Sequence, residues 1–263
     1  MKKFLLLIIG LLISIIIFSR DKLKLDNVEI PAPLSDRTER VIVHKGYTVS
    51  YNSDWKIPNW VAYELTDVEV AGEEPRAKKF VPDPMVPKYE TATTDDYKNT
   101  GWDRGHMAPA ADMKWDPQAM RESFYLSNVC PQNRNLNGGA WKDLEEQVRD
   151  LAAQKGHIFV VCGPIVEEDF QTIGDNKVAV PKAFFKVLLQ EDGGELHAIG
   201  FVYENVGGRR PMSTYAMTVD EVEAITGIDF FPSLPDNIEE KVESEADFSK
   251  WVIKKDKMKK GEK

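Results

Sequence analysis

The chain has 263 residues, 42% hydrophobic and 29% charged, which suffices for a full core in one large domain or two small ones and excludes a disordered or fibrous protein. Its formal charge of -9 argues against coating nucleic acid through an overall basic surface and leaves room for a local basic groove, because such binding rests on Lys and Arg neutralising phosphates. Two cysteines, Cys130 and Cys162, are too few for a disulfide framework or a zinc cage, and their apolar settings, "SNVCPQ" and "FVVCGP", read as buried free thiols.

At the N-terminus, "MKKFLLLIIGLLISIIIFSRDK" sets two lysines before an uncharged apolar run at residues 4–18. This is a targeting segment, and residues 1–20 fit either a signal peptide or an uncleaved signal anchor. With Lys2 and Lys3 held in the cytoplasm, either predicts an extracytoplasmic protein, secreted or periplasmic, or anchored to the membrane by residues 4–18. Residues 21–35, polar with Pro31 and Pro33, read as a linker, and residues 36–248 as one domain.

Within that domain "ERVIVHKGYTVSYN" alternates apolar and polar residues and "PNWVAYELT" follows a proline, so strands are expected in both. Residues 71–101, with four prolines at 75, 82, 84 and 87, read as loop. "SFYLSNVCPQ", rich in aromatic and β-branched residues, predicts a strand running into a loop. In "GAWKDLEEQVRDLAAQKG" Trp141, Leu144, Val148 and Leu151 recur at helical spacing and Gly156 closes the helix. "HIFVVCGPIV", "VAVPKAFFKVLLQ" and "ELHAIGFVYEN" are three further strand candidates. "TVDEVEAITG" fits a short helix with Thr218 as N-cap and Glu221 closing a capping box. Strands dominate without regular βα alternation, which predicts an α+β domain. Residues 249–263 form a lysine-rich tail, read as a solvated end.

No pair among the four histidines, at 44, 106, 157 and 197, has metal-ligand spacing, and His44, His157 and His197 lie in or beside strand patterns as structural histidines. His106 stands in "GWDRGHMAPAAD", residues 101–112. Gly105 is expected to supply unusual backbone angles there, Arg104 a fixed cation suited to a phosphate, and the guanidinium disfavours protonation of the neighbouring imidazole. Downstream lie Asn128 at a strand end, Asn137 just before the helix and Glu145 within it. Asn137, Trp141 and Glu145, at i, i+4 and i+8, are expected along one side of that helix, with Asn137 and Glu145 about 12 Å apart along the axis. One neutral oxygen ligand at Asn137, with Glu145 reaching ion-held waters, is Mg2+ behaviour, completed by substrate phosphate.

"DRGHMAPAAD", "YLSNVCPQ" and "LNGGAWKDLEEQ", in this order and spacing, resemble the DNA/RNA non-specific endonuclease family, the ββα-metal nucleases. The likeness runs from "NWVAYEL" through "RAKKFVPDP" and "VPKAFFKVLL" to "DEVEAITGIDFFPSLPDN". It implies an α+β ββα-metal nuclease fold, with a mainly antiparallel central sheet flanked by helices and an active site formed by the D-R-G-H strand or loop and the following helix. It also implies His106 as general base, Asn137 as the direct protein ligand to Mg2+, Asn128 and Glu145 as supporting residues, and Arg104 and Arg76 as phosphate contacts. Gly138 stands where the family often has Gln.

The implied activity is metal-dependent, sugar-non-specific hydrolysis of DNA and RNA to 5'-phosphate ends, with Mg2+, or Mn2+ or another divalent cation in its place. Contacts confined to phosphate carry no sequence information, and water as nucleophile needs no 2'-hydroxyl. A rate rising through the imidazole pKa, near 6.5 if unperturbed, is expected. The alternatives are a catalytically weak nucleic-acid-binding protein on the same fold and a structure-selective nuclease. The expected partners are DNA and RNA through their phosphate backbone, and a membrane if the N-terminal segment is uncleaved.

Overall fold

The computed structural model of the chain describes residues 25–252; the apolar run 4–18 and residues 253–263 of the tail lie outside the described residues. The alternating stretch near the start folds as a hairpin of β1 (Arg40–Val43) and β2 (Thr48–Asn52), and β3 (Ile57–Thr66) pairs with β2 across a register shift at Ser50/Tyr51. Thr66 ends β3 and begins α1 (Asp67–Val70) through a capping box with Glu69. The proline-rich stretch after it is loop, broken by one 3-10 turn at Thr94–Tyr97.

The short β4 (Asp103–His106) leads to α2 (Pro117–Glu122), which Asp116 caps through its side chain and Pro117 opens. Next come β5 (Val129–Gln132), α3 (Arg134–Asn137), α4 (Ala140–Lys155) and β6 (His157–Ile165), followed by a two-strand flap of β7 (Thr172–Ile173) and β8 (Val178–Ala179). The long β9 (Ala183–Asp192) and β10 (Glu195–Glu204) pair throughout, and β11 (Ala216–Met217), α5 (Val219–Thr226) and α6 (Asp236–Glu243) complete the fold. Thr218 and Glu221 form the expected capping box of α5.

Seven strands make one sheet in the order β1-β2-β3-β6-β9-β10-β11, every neighbouring pair antiparallel. Alternation along its central strands feeds two cores. Val61, Tyr63, Ile158, Val160, Phe184 and Leu188 point to the side covered by α4 and the β4–β5 hairpin. Trp60, Ala62, Phe159, Val161, Phe185 and Val187 point to the side where Val219, Val222 and Val242 of α5 and α6 pack. Such strands must be apolar on both faces, which is why they read as near-continuous hydrophobic runs. The fold is the α+β arrangement expected, with a mainly antiparallel sheet.

Four local expectations change. The strand expected from Ser123 is only Val129–Gln132, because Leu126–Asn128 form a 3-10 turn whose Asn128 N–H donates to Tyr125 O at 3.0 Å. Asn137 is not on the helix of Trp141 and Glu145. Gly138 caps α3, and Gly139, at φ -125° and ψ -113°, turns the chain before α4 starts, so the i, i+4, i+8 alignment does not hold. Part of the expected linker belongs to the domain, since Val28 is fully buried in the second core and Ala32 N–H donates to Asp229 O at 3.0 Å. The tail begins with a docked turn, Phe248–Trp251, that buries Trp251.

Candidate active site

The β4–β5 hairpin carries the centre of the site. Its register sets Asp103 opposite Gln132, Gly105 opposite Cys130 and His106 opposite Val129. A Cβ at Gly105 would lie 2.2 Å from Gln132 Oε1, so the motif needs glycine for space. Its φ is not positive, and the expected role in supplying unusual backbone angles is corrected accordingly.

Asn128 locks the chain just beyond His106. Its Oδ1 accepts from Ala108 N–H at 2.8 Å, and its Nδ2 donates to the carbonyls of Ala108 and Ser123, each at 2.9 Å. Fully buried, Asn128 spends its whole amide on the backbone of Ala108 and Ser123.

His106 itself is 8% exposed, and its Nε2 is enclosed without a hydrogen-bond partner. Two aromatic rings hold the imidazole, Phe80 at 5.0 Å and Phe124 at 4.9 Å between centroids. Each ring carries a guanidinium: Arg104 lies 4.9 Å from the centre of Phe80, and Arg76 lies 5.1 Å from that of Phe124. Among the described residues neither arginine is paired with a carboxylate. Burial, and then the positive charge of Arg76, lower the His106 pKa to about 3. A buried, unpartnered donor or acceptor costs about 1–3 kcal/mol, a cost that native proteins tend to bear at functional positions.

Asn137, at the end of α3, is half-buried. Its Nδ2 donates to Asp103 Oδ2 at 3.2 Å, while Arg134 Nε donates to the other oxygen of Asp103 at 3.1 Å. This fixes the amide and leaves its oxygen without a hydrogen bond among the described residues. A neutral hard oxygen beside a carboxylate suits a cation that keeps most of its waters, so these donors fit Mg2+ or a similar ion.

Glu145 makes different contacts. It lies half-buried on α4 beside Trp141, and burial raises its pKa to about 7, with the charge of Lys186 opposing the rise. Asp112 and Arg149 also act on it; Asp112 is fully buried, accepting from Arg149 at 2.7 Å and from Tyr63 OH at 2.8 Å. Lys186, on β9, is fully buried with its Nζ 4.9 Å from the Trp141 ring centre. No hydrogen bond joins Glu145 to Asn137 or His106 among the described residues. The hairpin carries Arg104 and His106 and holds Asn137 of α3 through Asp103, with Arg76 reaching Phe124 from the loop, while Glu145 lies under the charges of Lys186, Asp112 and Arg149.

Sequence reasoning missed Asp103, Asp112, Phe80 and Phe124. The two aspartates bracket the motif, and their spacing from His106 was an available signal; the two phenylalanines carry none. Both cysteines are free and buried, and Cys162 Sγ donates to Met107 O at 3.2 Å. His44 and His157 pair with Asp83 and Glu64, at 2.9 and 2.8 Å, and His197 lies 3.2 Å from Lys250 Nζ, as structural histidines do.

A strand pair and helix presenting one histidine and one asparagine, set against an antiparallel sheet, define a ββα-metal nuclease fold. The family model for DNA/RNA non-specific endonuclease matches residues 26–237, and the chain belongs to that family. It is 38% identical over 207 residues to "Nuclease EXOG, mitochondrial" of Danio rerio, covering 73% of this chain and 60% of that protein. It is 35% identical to human "Endonuclease G, mitochondrial", covering 72% and 69%, and 31% identical to "Nuclease" of Serratia marcescens, covering 84% and 85%. The solved EndoG/EndoGI complex, described as showing a mechanism of EndoG inhibition, superposes with a TM-score of 0.70 at 31% identity, covering 75% of this chain and 88% of that one. The chain spans about 60% of the length of the EXOG relatives.

These relatives overturn the expected extracytoplasmic location, since EXOG and endonuclease G carry mitochondrial names. Among the described residues no helix is long and apolar enough to cross a membrane. The physical reason is that two lysines before a short apolar run do not by themselves specify one address.

Proposed function

We propose that the chain is a divalent-metal-dependent endonuclease that hydrolyses phosphodiester bonds of DNA and RNA to 5'-phosphate ends, with His106 as general base. The observation that carries this reading is the buried, unpartnered imidazole of His106 held between two rings that each bear an unpaired guanidinium.

Arg76 and Arg104 bind the phosphate on either side of the scissile bond and draw electron density from it. Neutral His106 takes a proton from water, whose oxygen attacks phosphorus. The bond from phosphorus to the 3' oxygen breaks, and that oxygen leaves with a proton from solvent, so the phosphate stays on the 5' side. Asn137, oriented by Asp103, offers the oxygen that would hold Mg2+, which when bound supplies charge neutralisation at the phosphate. Asn128 keeps Ala108, and with it the end of the His106 strand, in place. Glu145 with Lys186, Asp112 and Arg149 supports the floor of the site. All contacts address the backbone of the nucleic acid, so cleavage is sequence-tolerant.

Plasmid DNA and single-stranded RNA incubated with wild type, His106→Ala and Asn137→Ala, with and without EDTA, test the reading. Smears should appear with wild type in Mg2+ alone, kcat should fall about 10²- to 10⁴-fold for His106→Ala, and at least ~100-fold for Asn137→Ala. Undiminished cleavage by either purified variant, or in EDTA, overturns it.

A further inference from the structure

On the other side of the sheet α5 and α6 bring Asp220, Glu223 and Glu243 together, with one carboxylate oxygen of each lying within 4.8 Å of the others. Asp220 and Glu223, three residues apart, share a face of α5, and Glu243 is the last residue of α6. Asp220 is exposed and Glu223 half-buried, with one oxygen accepting from Phe230 N–H at 2.8 Å.

Glu243 is 6% exposed, and its Oε1 has no hydrogen-bond partner. A buried carboxylate without a donor is rare in a folded protein. The charged groups that act on it, Glu223, Glu239, Asp220 and Asp229, are all acidic, and no described lysine or arginine pairs with it. Its place at a helix C-terminus, where the dipole is negative, disfavours an anion further and favours a cation.

We propose that Asp220, Glu223 and Glu243 form a structural site for a calcium-class divalent cation that ties α5 to α6. Calcium takes oxygen ligands at about 2.3–2.6 Å, so oxygens on opposite sides of the ion stand about 4.8 Å apart. The three carboxylate oxygens lie no further apart than this, so one ion could reach all three, with waters completing the coordination. The site is remote from His106, whose hairpin packs on the opposite face of the sheet.

Calcium chloride titrated calorimetrically into full-length Asn137→Ala, freed of metal by EDTA and dialysis, tests this apart from the nuclease site. One ion per chain should bind, and calcium should raise Tm by at least roughly 5 °C. The added substitutions Asp220→Asn and Glu223→Gln should remove both effects. Asp220→Asn alone, at an exposed position that tolerates exchange, should weaken binding at least about tenfold. Glu243→Gln should leave the metal-free Tm at or above its parent's and abolish the calcium response. No binding at millimolar calcium, or equal binding after Asp220→Asn and Glu223→Gln, overturns the proposal.

Discussion

Burial of His106 predicts a specific pH signature in stability. Its pKa falls from 6.5 to about 3, and at 1.36 kcal/mol per pH unit this difference is about 5 kcal/mol between the charged and neutral forms in the folded protein. The sign follows from which state binds the proton: below pH 6.5 the unfolded chain protonates His106 and the folded chain does not. Stability is therefore full above pH 6.5, is lost progressively as pH falls, and stops falling below pH 3. Between pH 7.5 and 5.0 the His106 contribution is about 2 kcal/mol. His106→Gln cannot take up that proton. Urea unfolding of both proteins at the two pH values should show wild type losing about 2 kcal/mol more than the variant on acidification, a difference in which the other titrating groups cancel. Equal losses would refute the burial argument. If His106 is the base of the proposed function, the same shift should move the acid limb of its rate well below the 6.5 expected of an unperturbed imidazole, because at pH 5 the ring is still about 99% neutral.

Three further outcomes follow from the same geometry. With His106→Ala in EDTA as the uncleaving background, adding Arg76→Ala or Arg104→Ala should weaken binding of a DNA duplex and lower the slope of log affinity against log salt by about 1 each, read by fluorescence anisotropy. Asn128→Ala strands the N–H of Ala108 and two carbonyls, so urea unfolding should record a loss of about 1–3 kcal/mol, and kcat should fall as the His106 strand end loosens. Gly105→Ala drives a methyl into Gln132 and should cost about 1–3 kcal/mol in the same assay, although β4 can accommodate the alanine backbone.

Legibility in the sequence followed the range of the interactions. The capping box at Thr218 and the helix of Trp141, Leu144, Val148 and Leu151 depend on residues three or four apart, and both are found in place. His106, Asn128 and Asn137 stand out in the sequence as candidates because three short motifs keep their order and spacing. The break between α3 and α4 was written in Gly138 and Gly139, yet helical spacing from Asn137 to Glu145 read straight across it. Nothing local could show that Phe80 and Phe124 would enclose His106, since the two lie 44 positions apart and meet only when Val81 bridges to Tyr125. The depressed pKa of His106 comes from that enclosure. It stayed invisible for the same reason. Helical spacing makes Glu145 a partner of Asn137, whereas the charge that acts on it is that of Lys186, 41 positions on and placed by sheet pairing.

How a chain of charge -9 can address a polyanion is a question of where its charges lie. The carboxylates of α5 and α6 stand on one side of the sheet, and Arg76 and Arg104 stand with His106 on the other. Two packing layers of about 10 Å each separate the faces, more than twice the screening length of about 8 Å at physiological salt. In the proposed function a phosphate arriving at His106 would meet the guanidiniums of Arg76 and Arg104, while Asp103 is taken up by Arg134 and Asn137. Phe80 and Phe124 hold those guanidiniums before any substrate arrives, so less side-chain freedom is lost on binding than for free surface arginines. The aromatic pair thus does two jobs: it partly buries the imidazole, which favours its neutral form, and it seats the guanidiniums of Arg76 and Arg104. In the proposed function, acidity elsewhere on the chain would limit long-range attraction of nucleic acid without altering the charge set locally by Arg76 and Arg104.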